Sequence, residues 1–210
     1  MIETKQKKSR TASPEVRKRQ IVDATIASIG KHGISGTTMA SVARLAGLSA
    51  GLANFYFKSK DALLEETLRC LAMEHREQWS TRLQAPDLDA PAKIVAVIDA
   101  QFHTSICNRK KLAVWFAFFG EAAYRKSYRR ITTSIDAERL DVVAGLFDKI
   151  IKEVGSPLDP KGVARTLESL FDGFWLNMLM YPDQFSREMA KAQIFDYLHT
   201  SFPRHFTPMP

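Results

Sequence analysis

The sequence predicts an all-α fold with a small basic head and a larger helical body. Apolar residues recur at helical spacing through most of the chain, and no useful stretch alternates apolar and polar residues as a strand would. Pro and Gly divide the chain into about nine segments of helical length. Residues 1–60 carry a net charge of +8, whereas the remaining residues sum to −1. We therefore expect a head that binds a polyanion and a body with a different task.

The head follows a polar, basic segment. Residues 1–12 are expected to form a disordered tail, with an arm that reaches DNA phosphates or the minor groove as the alternative. Ser13 and Pro14 begin the first helix, as an N-cap residue and a proline at the first helical position. Apolar residues at helical spacing then give this helix a face on which two further helices pack.

Two short helices joined by a tight turn come next. Gly47 suits the left-handed position after a helix, and Ser49 suits the N-cap of the following one. An ordinary helical hairpin has the same pattern, but no Asp or Glu lies between Asp23 and Asp61. The absence of acids favours a helix-turn-helix DNA-binding domain over residues 13–58, with its second helix in a major groove.

The body is predicted over residues 59–202, followed by a loose tail over residues 203–210. Its first helix is long, because no Gly or Pro interrupts it, and it links the basic head to the rest of the chain. The expected helices of the body span residues 59–85, 92–108, 111–123, 128–154, 160–181 and 186–201.

A pattern of residues across the head is similar to that of a known family. The residues that match it are Thr38, Val42, Ala43, Ala46, Gly47, Leu48, Ser49, Gly51, Tyr56, Phe57, Ser59, Lys60 and Leu63. Over about residues 14–64 the chain thereby resembles the TetR family of one-component bacterial regulators. The resemblance implies a homodimer that binds a palindromic double-stranded DNA operator and releases it when a small molecule enters the body.

The same resemblance implies which residues contact DNA. The phosphate contacts that it implies come from Thr38, Ser49, Gly51, Tyr56 and Lys60. The start and exposed side of the second short helix hold Ala50, Leu52, Asn54 and Phe55. Asn54 stands where the family usually has a phosphate-binding Tyr, and it is the one side chain there with a base-reading amide, suited to adenine. Specificity is therefore expected to depend on thymine methyl contacts and DNA shape as well.

Three segments of the body resemble those of the BetI-type repressors, which govern glycine betaine synthesis from choline. The segments are residues 113–121, 124–130 and 172–176. The resemblance implies choline or a related quaternary amine as effector, although related bodies carry other effectors.

A quaternary ammonium offers no N–H, so a pocket holds it with aromatic faces and sometimes a carboxylate. The candidate effector-pocket residues are Trp115, Phe118, Phe119, Glu121, Phe171, Asp172 and Trp175. The three aromatic residues of the first group share a helix face, and the two acids lie within apolar segments, where a buried charge needs a partner. The alternative is that the aromatics are core residues and that the acids pair with Arg125, Lys126 or Arg129.

The last two helices carry more apolar residues than a monomer is expected to cover. These residues are Leu167, Leu170, Phe171, Phe174, Met178, Met189, Ile194, Tyr197, Leu198 and Phe202. We expect a homodimer that pairs these helices in a four-helix core, with burial inside one chain as the alternative.

Several other classes of protein are excluded or disfavoured. The His and Cys spacings fit no metal site, and no nucleotide-binding or nucleophile motif occurs, so we expect no enzyme and no cofactor. No apolar run reaches the length of a membrane helix and no secretory signal is visible, so we expect a cytoplasmic, nucleoid-associated protein without a membrane partner. A sequence-neutral DNA-coating protein and a transcriptional activator are the remaining alternatives.

Overall fold

The structure is a computed structural model that describes residues 12–209. Within these residues it contains nine α-helices and no strand, which confirms the all-α prediction. The helices are α1 Pro14–Gly36, α2 Met39–Leu45, α3 Ala50–Tyr56, α4 Lys60–Leu83, α5 Ala90–Gln101, α6 Arg109–Ala122, α7 Lys126–Val154, α8 Pro160–Met180 and α9 Arg187–Ser201. None of these nine is long and apolar enough to cross a membrane. The tail expected over residues 1–12 lies, apart from Ala12, outside the described residues.

The chain divides into two compact units, Met1–Thr67 and Leu68–Pro210. We expected the division at the start of the long helix, but it lies inside α4. Leu63 and Leu64, on the first turns of this helix, are almost completely buried and belong to the first unit. The first unit therefore includes the apolar start of α4 as well as α1 to α3.

The first unit is built from α1, α2 and α3, which pack in sequence order. Ser13 accepts a hydrogen bond from the backbone N–H of Val16 and Pro14 occupies the first helical position, as the sequence indicated. Gly47 has φ of 65°, and this left-handed conformation lets the chain reverse between α2 and α3. The next residue, Leu48, donates its N–H to the carbonyl of Ala43 at 2.9 Å, which closes the turn.

The second unit is organised around α7, which packs against α5, α6 and α8. This 29-residue helix buries a stripe of apolar side chains that includes Val143, Phe147 and Ile150. It ends at Gly155, whose φ of 65° provides a left-handed C-cap. The arrangement leaves one end of α7 and the neighbouring stretch of α8 to line a cavity, described below.

The fifth helix is shorter than the sequence predicted. We expected it to reach Asn108, but it ends at Gln101 and residues 102–108 form turns. His103 Nδ1 lies 2.7 Å from the hydroxyl of Ser105, and Asn108 accepts the N–H of Lys111 as the N-cap of α6. Short polar side chains that bond to nearby backbone compete with helix formation, and this segment contains several of them.

The C-terminal segment after α9 is also more ordered than expected. Phe206 is 1% exposed and its ring packs edge-on against Phe202, with centroids 6.3 Å apart. His199 Nδ1 donates a hydrogen bond to the carbonyl of Phe206 at 2.7 Å. Residues 203–206 are therefore not a loose tail, because a buried aromatic ring and a backbone hydrogen bond fix them to the body.

Most of the apolar residues that we assigned to a dimer core are covered by their own chain. The buried ones are Leu167, Phe171, Phe174, Met178, Ile194, Leu198 and Phe202. Leu170 and Tyr197 are half-buried, and only Met189 of the set is exposed. The large apolar side chains that α8 and α9 leave open to solvent are Met189 and two residues outside the predicted set, Leu176 and Met180.

Candidate DNA-binding surface and effector cavity

The two short helices of the first unit are fixed by side-chain caps. Thr38 and Ser41 form a capping box at the start of α2, in which each side chain accepts the other residue's backbone N–H. Ser49 accepts the N–H of Leu52 at 3.2 Å at the start of α3. Thr38 and Ser49, which we predicted as phosphate contacts, are therefore the N-cap residues of α2 and α3, and their hydroxyl groups fix where these helices begin.

One face of α3 is open to solvent. Ala53 is completely buried, and this anchors the inner face of the helix. The residues of the outer face that are exposed are Ala50, Gly51, Asn54 and Phe55, and Leu52 and Tyr56 are half-buried. Phe55 is 67% exposed, so its ring is open to solvent on this face.

Two lysines follow this exposed helix in the sequence. Lys58 Nζ lies 5.6 Å from the centroid of the Phe55 ring, and the Tyr56 ring meets Phe55 edge-on at 5.3 Å. Lys60 Nζ donates to the carbonyl of Ser35 at 3.4 Å, a long contact that leaves the ammonium able to turn to another acceptor. The segment from α3 to the start of α4 thus combines an apolar ring, a side-chain amide and two positive charges.

The second unit contains a cavity of about 540 Å³ between α4, α5, α6, α7 and α8. Of the seven pocket residues that the sequence suggested, those that line it are Trp115, Phe119, Phe171, Asp172 and Trp175. Its volume lies within the range of about 300–1,000 Å³ typical of small-molecule sites.

The other two suggested residues lie outside the cavity lining. Phe118 is 1% exposed and packs edge-on against the Tyr128 ring, with centroids 5.2 Å apart, so it is a core residue. Glu121 Oε2 lies 3.4 Å from Arg125 Nε, which is the ion pair that the alternative interpretation foresaw.

Several lining residues were not foreseen from the sequence. The polar ones are His75, Gln101, Thr132, Thr133, Asp136, Arg139, Arg165, Glu168 and Ser169. A signal existed for two of them. His75 continues the apolar i, i+3, i+7 series of Leu68 and Leu71 on α4. Glu168 lies four residues after buried Ala164 and three before buried Phe171 on α8, so both polar groups fall on a largely buried face.

One wall of the cavity is aromatic. The centroid of the His75 ring lies 5.5 Å from that of Trp175 and 6.1 Å from that of Trp115. The ring centroids of Trp115 and Phe119 are 5.8 Å apart. Burial, and secondarily the charge of Arg139, lowers the pKa of His75 to about 3, against an opposing hydrogen bond with Gln101. The imidazole is therefore neutral at physiological pH and adds no positive charge to the aromatic wall.

Other lining side chains of the cavity carry charge. Arg139, only 6% exposed, donates from Nε to Glu168 at 2.9 Å and from Nη2 to both Glu168 and Asp136. Asp172 forms no ion pair within the described residues. Asp172 as a whole residue is exposed. Desolvation of its carboxyl nevertheless raises the pKa of Asp172 to about 6. The charges of Glu168 and Asp136 add to this rise, and the charge of Arg139 opposes it.

The sum of these charges favours a cation. Three carboxylates (Asp136, Glu168 and Asp172) face two guanidinium groups (Arg139 and Arg165), and the neutral imidazole adds none. An ionised Asp172 therefore has no ion-pair partner among the described residues, although the charge of Arg139 acts on it, and a positively charged ligand would be attracted by this carboxylate and by the aromatic rings. Among the described residues no group of three or more His, Cys, Asp or Glu side chains could hold a metal ion.

Comparison with protein families gives two matches that together cover most of the chain. Residues 21–67 match the bacterial regulatory proteins of the tetR family, and residues 90–203 match the C-terminal domain of the BetI-type transcriptional repressors. The HTH-type transcriptional regulator BetI of Burkholderia thailandensis is 33% identical over 190 residues, covering 88% of this chain and 92% of its own. BetI of Serratia proteamaculans is 30% identical over 195 residues, covering 92% and 96%.

Solved structures share the fold. A transcriptional regulator from Pseudomonas aeruginosa superimposes with a TM-score of 0.76 at 24% identity, covering 91% of this chain and 96% of its own. A regulator from Saccharomonospora viridis, solved in complex with choline, has a TM-score of 0.79 at 20% identity, with coverage of 89% and 97%. The helix-turn-helix head, the helical body and the matches over both show that this chain is a transcriptional regulator, not an enzyme, and belongs to the TetR family with a BetI-type C-terminal domain.

Proposed function

We propose that this regulator is a homodimeric repressor that leaves its operator when a quaternary ammonium compound, choline or a close relative, enters the cavity of the second unit. The observation that carries the proposal is the position of Asp172. Its carboxylate lacks an ion-pair partner in the described part of the chain, yet it lines the same cavity as Trp115 and Trp175. A trimethylammonium group carries its charge on an apolar surface, so aromatic faces and one carboxylate suit it better than a hydrated pocket would.

Two further facts support a cationic effector. His75 stays neutral, so the aromatic wall does not repel a positive ligand. The regulator from Saccharomonospora viridis, which has the same fold, was solved with choline bound. The similarity to that regulator supports only the fold. The proposal that this protein binds a cation rests on the charges and aromatic rings of its own cavity.

The proposed DNA contacts follow the exposure of α3. Asn54 is exposed and can pair with an adenine edge, and the open Phe55 ring can pack against a thymine methyl group. Phosphate contacts are proposed from Thr38, Ser49, Gly51, Tyr56 and Lys60. Ala50 and Leu52 complete the apolar part of the groove-facing surface.

The proposed dimer interface lies on α8 and α9. Leu176, Met180 and Met189 are 44%, 59% and 41% exposed, and Tyr181, just after α8, is 51% exposed. Exposed apolar side chains that cluster on adjacent helices are typical of protein contacts. A two-fold pairing of these helices would bury this surface in each protomer and join two DNA-binding units in one molecule, as a palindromic operator requires.

The proposed coupling passes through α4. This helix begins at Lys60, a proposed phosphate ligand, and contributes Ala72 and His75 to the cavity lining. A ligand that shifts the cavity end of α4 would therefore also shift the residues at its start. The energy available for release is the difference between the ligand's affinities for the DNA-bound and released conformations.

The test combines two titrations. Calorimetry with tetramethylammonium, choline and the uncharged analogue 3,3-dimethylbutan-1-ol asks whether the cavity selects a cation. Fluorescence anisotropy with a labelled DNA fragment from the region upstream of the gene that encodes this protein asks whether the same ligand releases the DNA. We expect choline to bind, to release the DNA and to be at least about tenfold stronger than the uncharged analogue. Equal binding of the two, or binding of neither, would contradict the proposal.

A further inference from the structure

Two ion pairs fix one stretch of α4 to the helices beside it. Arg76 donates from Nε and Nη2 to the two carboxylate oxygens of Glu138 on α7, at 2.6 and 2.5 Å. Two residues earlier, Glu74 accepts from the ammonium group of Lys111 on α6 at 2.6 Å. The side chains of Lys111 and Glu74 are only 16% and 25% exposed, so water and salt screen this pair less than a surface pair. Each pair thus links α4 with a helix that lines the cavity.

His75, between the two ion pairs in the sequence, belongs to the cavity lining. Its Nε2 lies 2.9 Å from Oε1 of Gln101 on α5, and its ring contacts Trp115 of α6 and Trp175 of α8. Successive residues of an α-helix point in directions about 100° apart. Residues 74–76 are therefore held from three sides, which fixes both the position of this stretch of α4 and its rotation about the helix axis.

We propose that the Arg76–Glu138 and Glu74–Lys111 pairs, which we call the coupling clamp, convert occupation of the cavity into movement of α4. The proposal rests on the proposed function, since it assumes a ligand in the cavity between these helices. None of the four side chains lines the cavity, so the coupling clamp transmits the signal and does not itself bind the ligand.

Residues next to the coupling clamp line the cavity on both partner helices. On α6, Trp115 lies one turn after Lys111 and is part of the lining. On α7, Arg139 follows Glu138 directly, is part of the lining, and donates to Glu168 of α8. A ligand that displaces α6 or α7 therefore also displaces the charged group that holds α4.

The geometry of the coupling clamp suits it to transmit a displacement. A guanidinium that donates two hydrogen bonds to one carboxylate has a fixed orientation relative to it, whereas packing between apolar rings is not directional. When α7 moves, Arg76 and the backbone of α4 must follow, or the paired hydrogen bonds break. No Gly or Pro, at which helices usually kink, lies in α4 between Lys60 and Leu83. A shift at Arg76 therefore reaches Lys60, the proposed phosphate ligand.

The test measures coupling and ligand binding separately. Fluorescence anisotropy gives the operator dissociation constant with and without saturating choline, and calorimetry gives the choline affinity of the DNA-free protein. We expect choline to raise the operator dissociation constant of the unmodified protein at least about tenfold, a typical allosteric factor. In Arg76→Gln and Glu138→Gln this factor should fall below about threefold, while the choline affinity stays within about twofold. The side chains of Arg76 and Glu138 are 38% and 39% exposed, so water solvates the partner left behind and both variants should fold.

Two further variants test whether the ion pair itself carries the coupling. Arg76→Glu combined with Glu138→Arg reverses the pair, and it should restore a factor above about fivefold. The matched control is Asp148→Asn, which removes an ion pair between Asp148 and Lys152 within α7 that joins no second helix. The control should leave the factor and the choline affinity unchanged.

Undiminished release of DNA by choline in both single variants would overturn the coupling clamp. Loss of choline binding in those variants would overturn it as well, because the pair would then shape the cavity instead of transmitting its occupation. A reversed pair that restores nothing would count against ion pairing as the carrier of the signal. If choline fails to bind the unmodified protein or to release its DNA, the proposed function itself fails, and the coupling clamp with it.

Discussion

Replacing Asp172 with Asn should make the protein more stable and make it bind cations more weakly. In the folded chain the Asp172 carboxylate is desolvated, faces Glu168 and Asp136, and is opposed only by the charge of Arg139. The unfolded chain exposes the same carboxylate to water at no such cost. An amide of almost equal shape removes the unfavourable charge, and with it the attraction for an ammonium group.

The magnitude follows from the pKa. Folding raises the pKa of Asp172 from 3.8 to about 6. At ~1.4 kcal/mol for each unit of difference in pKa, the ionised carboxylate would lower the free energy of unfolding by about 3 kcal/mol above pH 6. Because part of the residue is exposed and water screens its charge, we expect about 1 kcal/mol in the free energy of unfolding. The gain should shrink as the pH falls from 6 and vanish below about pH 3.8, where the carboxyl is protonated in both the folded and the unfolded chain.

The assay is urea unfolding of both proteins at one protein concentration, repeated between pH 8 and pH 4, beside calorimetric titration with choline at pH 7.5. Asp87→Asn, an exposed carboxylate outside the cavity lining, is the control and should change neither quantity. Equal stability of wild type and Asp172→Asn at pH 7.5, together with unchanged choline affinity, would refute the argument that the Asp172 carboxylate is destabilised by burial and binds a cation.

Three other substitutions separate the parts of the molecule. Lys60→Ala should weaken DNA binding at every sequence and lower the salt slope by about one, measured by anisotropy between 50 and 200 mM salt; an effect confined to one operator would disprove a phosphate contact. Trp115→Leu should preserve operator affinity and weaken choline binding by about tenfold, and an unchanged choline affinity would count against the aromatic wall. Met180→Glu should shift the protein to monomers in sedimentation experiments, unless the dimer uses another surface.

The head could be predicted from sequence because its signals are local. Gly47 at a positive φ, Ser49 as N-cap and the Ser13–Pro14 start each depend on residues within one or two turns, and the structure has all three. The end of α5 was missed because no Gly or Pro marks it. Instead, His103 forms local hydrogen bonds with the hydroxyl and the backbone N–H of Ser105, and such contacts compete with the continuation of the helix.

The cavity could be predicted only in part, for a physical reason. Helical spacing groups Trp115, Phe118 and Phe119, but it does not say which edge of that face meets the cavity and which meets the core. The charged side chains of the lining were missed because Arg139 and Glu168 are 29 residues apart, and their pairing depends on how α7 lies on α8. Spacing within one helix carries no information about such a contact.

The packed ring of Phe206 has a practical consequence for protein engineering at the C-terminus. Shortening the chain to end at Phe202 would remove a buried aromatic side chain and uncover the surface beneath it, at a cost of about 3 kcal/mol. A reporter or purification handle joined at Pro210 would begin only four residues beyond that ring. A spacer of several glycines and serines should therefore separate any fusion from this end of the molecule.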